Sequence, residues 1–282
     1  MKIFIYTFII MDVKSLAKNF KNILLNNRKE LPKFLETYGK YETLVELIKC
    51  IEEDGTSWCG LLLFGNNRDY NGIYELPTNE LCEVLASIIY KFDIKSIHEV
   101  GAGNGLLSAR LLPYLKEIGT KLYISDSKKW SINNGSTYVP VETKSFEQFD
   151  KKDKVENILI SWLHQSAETD FIDMIKKVKP KNIFHIGEGK RGRCYGDDFI
   201  KELCNLGYEF TYIPAKQISN IDYFLKDKIR AEVKNGTRTV ITWFSLNDLP
   251  DKRTIVDICG ADNLGTYLKL DFKYTMQDLE QI

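Results

Sequence analysis

IKSIHEVGAGNGLLSARLLPYL, residues 94–115, is the stretch from which the rest of the chain is read. Ile94, Ile97 and Val100 form a short alternating apolar run, the pattern of a strand. Gly101, Gly103 and Gly105 follow at every second position, and Leu106, Leu107, Leu111, Leu112 and Leu115 then recur at helical spacing. Strand, glycine turn and helix are the opening of a βαβ unit. Such a turn lets backbone approach a ligand closely, with the N–H groups of the helix start pointing outward.

Glycine spacing separates two cofactors. A dinucleotide turn reads G-x-G-x-x-G or A, with the third small residue five places after the first. Here that place is Leu106, and the third glycine comes one residue early. Glu99 stands two residues before the first glycine. The resulting E-x-G-x-G-x-G resembles motif I of class I S-adenosylmethionine-dependent methyltransferases. A nicotinamide cofactor fits this spacing less well, and a plain tight turn remains the structural alternative.

Composition sets outer limits. A chain of 282 residues with 44% hydrophobic residues suits one large α/β domain with attachments, or at most two domains. Lys plus Arg and Asp plus Glu are 39 each, so the balance indicates no general polyanion-binding surface. Six cysteines form no C-x-x-C pair, and no histidine lies at ligand spacing, so no metal is expected. Scattered cysteines suit a reducing compartment, and the expected location is cytoplasmic. The apolar start, MKIFIYTFII, is too short to span a bilayer; a first strand or an extension upstream of Met11 is the expectation. No membrane association is expected.

Asp12 is placed to cap a helix bearing Leu16, Phe20, Ile23 and Leu24. A second helical pattern runs from Leu31 to Glu53, with Gly39 set to break it. Residues 58–78 read as a loop, with turn signals at Asn71-Gly72 and Pro77, and a helix is expected over Asn79–Lys91. In methyltransferases of the type that motif I resembles, the segment before the first strand often folds over the cofactor, which makes Tyr70, Tyr74 and Thr78 lid candidates. Lys121–Ser125 reads as the second strand, ending at Asp126, 21 residues after Gly105. A carboxylate there can accept from both ribose hydroxyls of an adenosine cofactor, or simply cap a turn. Tyr138–Val141 is expected as a short third strand. Beyond it, Glu142 and Ser145 compete for the edge of the adenine ring.

Asn157–Ser161 is the fourth strand and leads into Ser161-Trp162-Leu163-His164-Gln165; the helix Glu168–Val178 follows. The end of this strand, beside the topological switch point, is where a substrate meets the cofactor. His164 is a candidate general base, its ordinary pKa being about 6.5. Trp162 either lines the substrate or plugs the core. Asn182–Ile186 is the fifth strand and runs into the loop Gly187 to Cys194. Gly187 and Gly192 have P-loop spacing, but Arg193-Cys194 replaces Lys-Ser/Thr, which argues against nucleotide hydrolysis. Glu188, Arg191 and Arg193 are candidates for a polar or anionic substrate. A helix is expected over 199–206, capped by Asp197-Asp198. Glu209–Ile213 and Thr239–Phe244 are the last two strands.

Several stretches together resemble a poorly characterised subgroup of class I methyltransferase-like proteins: YNGIYELPT, EVGAGNGLLSARL, the Ser-Trp after the fourth strand and IGEGKRGRCYGDDFIKEL. The likeness spans roughly residues 70–245. The subgroup carries Ser-Trp-Pro-Pro-Tyr where this chain has Ser161-Trp162-Leu163-His164-Gln165, a departure that bears on substrate chemistry more than on the cofactor. The resemblance implies a Rossmann-like, seven-stranded, mostly parallel sheet with helices on both faces. With the helical patterns before it, the chain divides into an N-terminal helical attachment and possible cofactor lid (1–90), the core (91–246) and a C-terminal appendage (247–282). The resemblance implies Glu99, Gly101, Gly103 and Gly105 around the methionine moiety of S-adenosylmethionine and Asp126 on the ribose; Ala102 within the turn is a further cofactor candidate, and Ser161 at the end of the fourth strand a substrate candidate. The expected activity is methyl transfer to an acceptor whose class the sequence does not fix. The alternative is a non-catalytic binding or partner subunit.

Overall fold

The computed structural model describes residues 12–63, 73–127, 137–188, 197–213, 215, 218–219 and 239–259. Residues 1–11 and 260–282, which carry the expected first strand and most of the expected appendage, lie outside the described residues.

Four helices open the chain: α1 (Val13–Asn26), α2 (Leu31–Tyr38), α3 (Tyr41–Glu53) and α4 (Trp58–Leu63). Asp12 caps α1 as expected, its Oδ1 accepting from the N–H groups of Lys14 (2.9 Å) and Ser15 (3.0 Å). Gly39 divides the long pattern into α2 and α3. A Cβ there would fall 2.1 Å from the Leu35 carbonyl oxygen and 2.6 Å from Asn79 Oδ1, so only glycine fits this contact. The four helices bury Phe20, Leu24, Leu35, Ile48, Trp58 and Leu62 together, with Phe20 stacked on Phe34. Helix α4 corrects the loop expected over residues 58–78: burial of Trp58, Leu61 and Leu62 outweighs the local turn signals.

The remaining elements are β1 (Glu75–Leu76), α5 (Asn79–Lys91), β2 (Ser96–Val100), α6 (Leu106–Glu117), β3 (Lys121–Asp126), β4 (Glu142–Thr143), β5 (Asn157–Ser161) and α7 (Glu168–Val178). Then come β6 (Asn182–Glu188), α8 (Asp197–Asn205), β7 (Glu209–Ile213), β8 (Ile218–Ser219), β9 (Thr239–Ser245) and α9 (Lys252–Cys259). Seven strands form one sheet in the order β4–β3–β2–β5–β6–β9–β7. From β4 to β6 all pairings are parallel, and β9 runs antiparallel to both β6 and β7. This is the Rossmann-like fold of class I methyltransferases, with the reversed strand one place in from the edge. The chain runs outward from β2 to β4, then returns to the other side of β2 as β5. The switch point therefore lies between β2 and β5.

Helices α5, α6 and α9 cover one face, where Leu85, Ile97, Leu111, Leu159, Ile186, Trp243 and Ile255 meet. Helices α7 and α8 cover the other, around Ile158, Ile160, Phe171, Ile183, Phe199 and Phe244. Alternation along each strand sends successive side chains to opposite faces, which is why Ile158 and Leu159 belong to different clusters. Helix α9, in the stretch expected as an appendage, joins the core through Ile255 and Cys259. Two corrections to expected bounds have local causes. The third strand is Glu142–Thr143 rather than 138–141: Pro140 has no N–H for a ladder, and the Tyr138 N–H goes instead to the Asn104 carbonyl at 2.9 Å. Asp197 and Asp198 lie within the first turn of α8 rather than ahead of it. No helix among the described residues is long and apolar enough to cross a membrane.

Candidate functional site

The site is built at the C-terminal ends of β2, β3 and β5. All three turn glycines adopt left-handed backbone, with φ of 67° at Gly101, 57° at Gly103 and 75° at Gly105. A side chain in that region costs about 1 kcal/mol or more at each position, so the turn requires glycine. Gly105 N-caps α6, and a Cβ there would lie 2.7 Å from Val139 Cγ2. At Gly103, on the exposed apex, a Cβ would meet nothing within 4 Å, which leaves an open cradle beside bare backbone. The Ala102 N–H donates to the Ser125 carbonyl at 3.0 Å, and the Gly103 N–H donates to Asp126 Oδ2 at 2.9 Å. These two bonds fasten the turn to the end of β3. Asn104 Oδ1 accepts from the Leu106 N–H, leaving later N–H groups of the helix start for other partners.

Glu99 lies beneath the turn rather than in the opening. It is 1% exposed, and Ser108 on α6 donates its hydroxyl proton to Oε2. Burial pushes its carboxyl up to about 7 against the pull of the Ser108 hydrogen bond, and nearby Asp126 raises it further. Glu99 therefore braces β2 against α6. On the opposite face of β2, His98 Nε2 lies 3.0 Å from Ser125 Oγ, and its ring meets Phe149 edge-on. Burial, helped by Lys144, pushes His98 down to about 4. It holds β2 and β3 together as a neutral ring.

The adenine-edge candidates stand apart from one another in role. Glu142 is exposed on β4, opposite Ser125, while Ser145 forms a reciprocal capping box with Gln148. Phe146 reaches the other side of the turn, 3.6 Å from where a Gly101 Cβ would be.

At the end of β5 the register sets the geometry. Glu99 of β2 pairs with Leu159 of β5, so two residues further on Gly101 and Ser161 stand level across neighbouring strands. Ser161 is half-buried. Trp162 follows with φ of 57°, and its Nε1 donates to Glu75 Oε2 at 2.9 Å. Its ring stacks on Tyr74, centroids 5.8 Å apart. His164 is exposed and its Nδ1 accepts from the Ser166 N–H at 3.2 Å, capping the short turn that follows. Nδ1 also lies 2.8 Å from Ser166 Oγ, so this nitrogen is engaged within the turn. Thr78 is fully buried and caps α5 by accepting from the Leu81 N–H, a structural task rather than a lid contact.

In β6, Gly187 is explained by His185: a Cβ would lie 2.6 Å from the imidazole Cε1. His185 is fully buried and pushed down to about 3. Tyr70, Arg191, Arg193 and the side chain of Glu188 lie outside the described residues. Sequence reading missed the bond of Glu75 to Trp162 and the contact of Val139 with Gly105, because each joins residues remote in the chain.

No family model matches the sequence. Two uncharacterized proteins of Acanthamoeba polyphaga mimivirus are similar to it. R839 is 34% identical over 229 residues, covering 77% of this chain and 49% of that protein. R822 is 37% identical over 183 residues, covering 62% of this chain and 31% of that protein. The chain thus spans half or less of the length of these relatives. Similar solved structures include a SAM-dependent methyltransferase from Aquifex aeolicus, 14% identical with a TM-score of 0.35, covering 59% of this chain and 91% of that one. Human N-acetylserotonin methyltransferase in complex with SAM is 12% identical with a TM-score of 0.39, covering 83% and 72%. At such distances the fold rests on strand order and register, not on these likenesses.

Proposed function

We propose that the chain binds S-adenosylmethionine across the ends of β2 and β3 and transfers its methyl group to an acceptor at the end of β5. The observation that carries this reading is the left-handed turn Gly101-Ala102-Gly103-Asn104-Gly105, with its bare apex held to Asp126. The open space at the Gly103 Cβ position fits a ligand lying against backbone. When bound, the sulfonium supplies an electrophilic methyl, so the protein's main task is to align a nucleophile in line with it.

The chain's own residues divide that task. Gly101 to Gly105 offer backbone to the methionine moiety, with Glu99 holding the turn from below. Asp126 accepts from the ribose hydroxyls, exchanging its bond to Gly103. Glu142 or Ser145 borders the adenine. Ser161 and Trp162 border the acceptor, at the end of β5 beside Glu188, the last residue of β6. His164 serves as a base only when the turn it caps opens. No metal is required by this chemistry, and the site calls for no membrane.

A second reading, a non-catalytic module that keeps the cofactor turn, is favoured by two observations: Trp162 is 9% exposed, and His164 Nδ1 is engaged. Tritiated methyl transfer separates the readings. The purified chain, with S-adenosylmethionine labelled in the methyl group, is incubated with protein, nucleic acid and small-molecule fractions of a cell extract, beside Gly103→Arg. Label entering one fraction with the wild type alone supports the enzyme and names the acceptor class. Cofactor binding with no labelled fraction favours the module.

A further inference from the structure

Trp162 is the first residue beyond β5, and its left-handed φ of 57° is one that bulky side chains seldom adopt. Such a conformer persists where the surroundings over-determine it. Three contacts do so here. Its N–H donates to the Ile186 carbonyl at 2.7 Å, Nε1 donates to Glu75 Oε2 at 2.9 Å, and the ring lies on Tyr74 with planes 18° apart. Glu75 is 8% exposed and sits in β1, whose backbone is fixed by antiparallel pairing of Glu75 with Ser219 and Leu76 with Ile218. Through Glu75 this short paired strand thus holds the residue that follows the level of Gly101.

Packing alone does not call for a carboxylate. A buried acid is costly, whereas an apolar residue at 75 would pack against an indole without that cost. What the carboxylate adds is direction: it fixes which way the indole N–H, and hence the ring plane, faces.

We infer that Glu75 is a positioning residue for methyl transfer, setting the indole of Trp162 as the wall of the acceptor side beside the glycine turn. The inference rests on the cofactor reading above, and its test keeps the two apart. S-adenosylmethionine carrying carbon-13 in its methyl group is bound to the full chain, and the methyl resonance is compared in wild type, Glu75→Ala and Glu75→Gln. The four tryptophan indole N–H resonances are followed in the same samples, with Trp162→Phe giving the assignment.

An indole held beside the methyl displaces the bound methyl resonance from its free position. Glu75→Ala releases the indole and moves the resonance back towards the free value, while affinity stays within about threefold. Glu75→Gln, whose amide oxygen still accepts from Nε1, restores the wild-type position. A Glu75→Ala methyl resonance that stays put while the indole N–H signal moves overturns the inference and leaves Glu75 a structural role only. Should Glu75→Ala not fold, Trp162→Phe, which keeps a ring but lacks the donor, is expected to show the same return; an unmoved methyl there overturns it equally. No binding by the wild type sinks the cofactor reading first, and this inference with it.

Discussion

The backbone N–H of Gly103 donates to Asp126 Oδ2 at 2.9 Å, joining the apex of the glycine turn to the last residue of β3. One hydrogen bond thus connects the place where backbone is bare to the carboxylate proposed to hold the ribose. Each partner presupposes the other: a side chain at 103 would fill the cradle, and a shorter β3 would leave Asp126 out of reach.

Asp126→Ala is expected to weaken S-adenosylhomocysteine binding by about ten- to a hundredfold, the worth of hydrogen bonds from two hydroxyls to a charged acceptor. Folding stability should change little, because Asp126 is only half-buried. Calorimetric titration and thermal unfolding measure the two effects separately. Unchanged affinity would remove Asp126 from the site.

Gly103 and Gly105 should respond differently to the same substitution. Gly103→Ala meets open space and incurs only the left-handed backbone cost, about 1 kcal/mol. Gly105→Ala adds a collision at 2.7 Å with Val139 Cγ2 and is expected to cost about 2–4 kcal/mol. Urea unfolding of both variants checks the ranking, and equal losses would show that the 139–141 segment moves aside freely.

What the sequence disclosed, and what it hid, follows from contact range. The glycine turn, Asp126 at the end of β3, the span of β5 and the strands β7 and β9 rest on local periodicity, and the structure has them where that periodicity lies. The two-residue β1 was hidden because its partner, β8, is remote in the chain. The bond from Trp162 to Glu75 joins residues 87 apart, and neither has a neighbour that announces it. Helix α4 was masked by its own composition, a glycine within six residues, and forms because Trp58 and Leu62 complete the N-terminal cluster. His164 carries a reactive side chain at a suggestive position, yet its observed work is to cap a turn.

Glu99 gives the fold a pH dependence with a definite sign. Its carboxyl is raised to about 7 in the folded chain, above the ordinary value of 4.5. Below that ordinary value both states hold the proton and no penalty arises. As pH rises towards 7 the unfolded chain ionises first, so stability falls, by about 3 kcal/mol once the folded value is passed. Glu99→Gln, which mimics the protonated acid, should match wild type near pH 4.5 and exceed it by about 2–3 kcal/mol near pH 8. Parallel stability curves across that window would show that Glu99 is ionised in the fold.

Lys179 ends α7 in left-handed backbone, φ 52°, with its N–H bonded to the Ile175 carbonyl at 2.8 Å. Glycine takes that conformation without a Cβ penalty, and Lys179 is exposed. Lys179→Gly is expected to raise stability by about 0.5–1 kcal/mol, read as a higher unfolding midpoint. A lower midpoint would mean that the lysine side chain makes up for its backbone.

The proposed function requires that the glycine turn hold S-adenosylmethionine. Calorimetric titration of the purified chain with S-adenosylhomocysteine tests it most directly, with NADH and the Gly103→Arg variant as controls. One equivalent bound in the micromolar range, absent with NADH and abolished in Gly103→Arg, is the predicted result. No heat with S-adenosylhomocysteine, or saturable binding of NADH in its place, would contradict it.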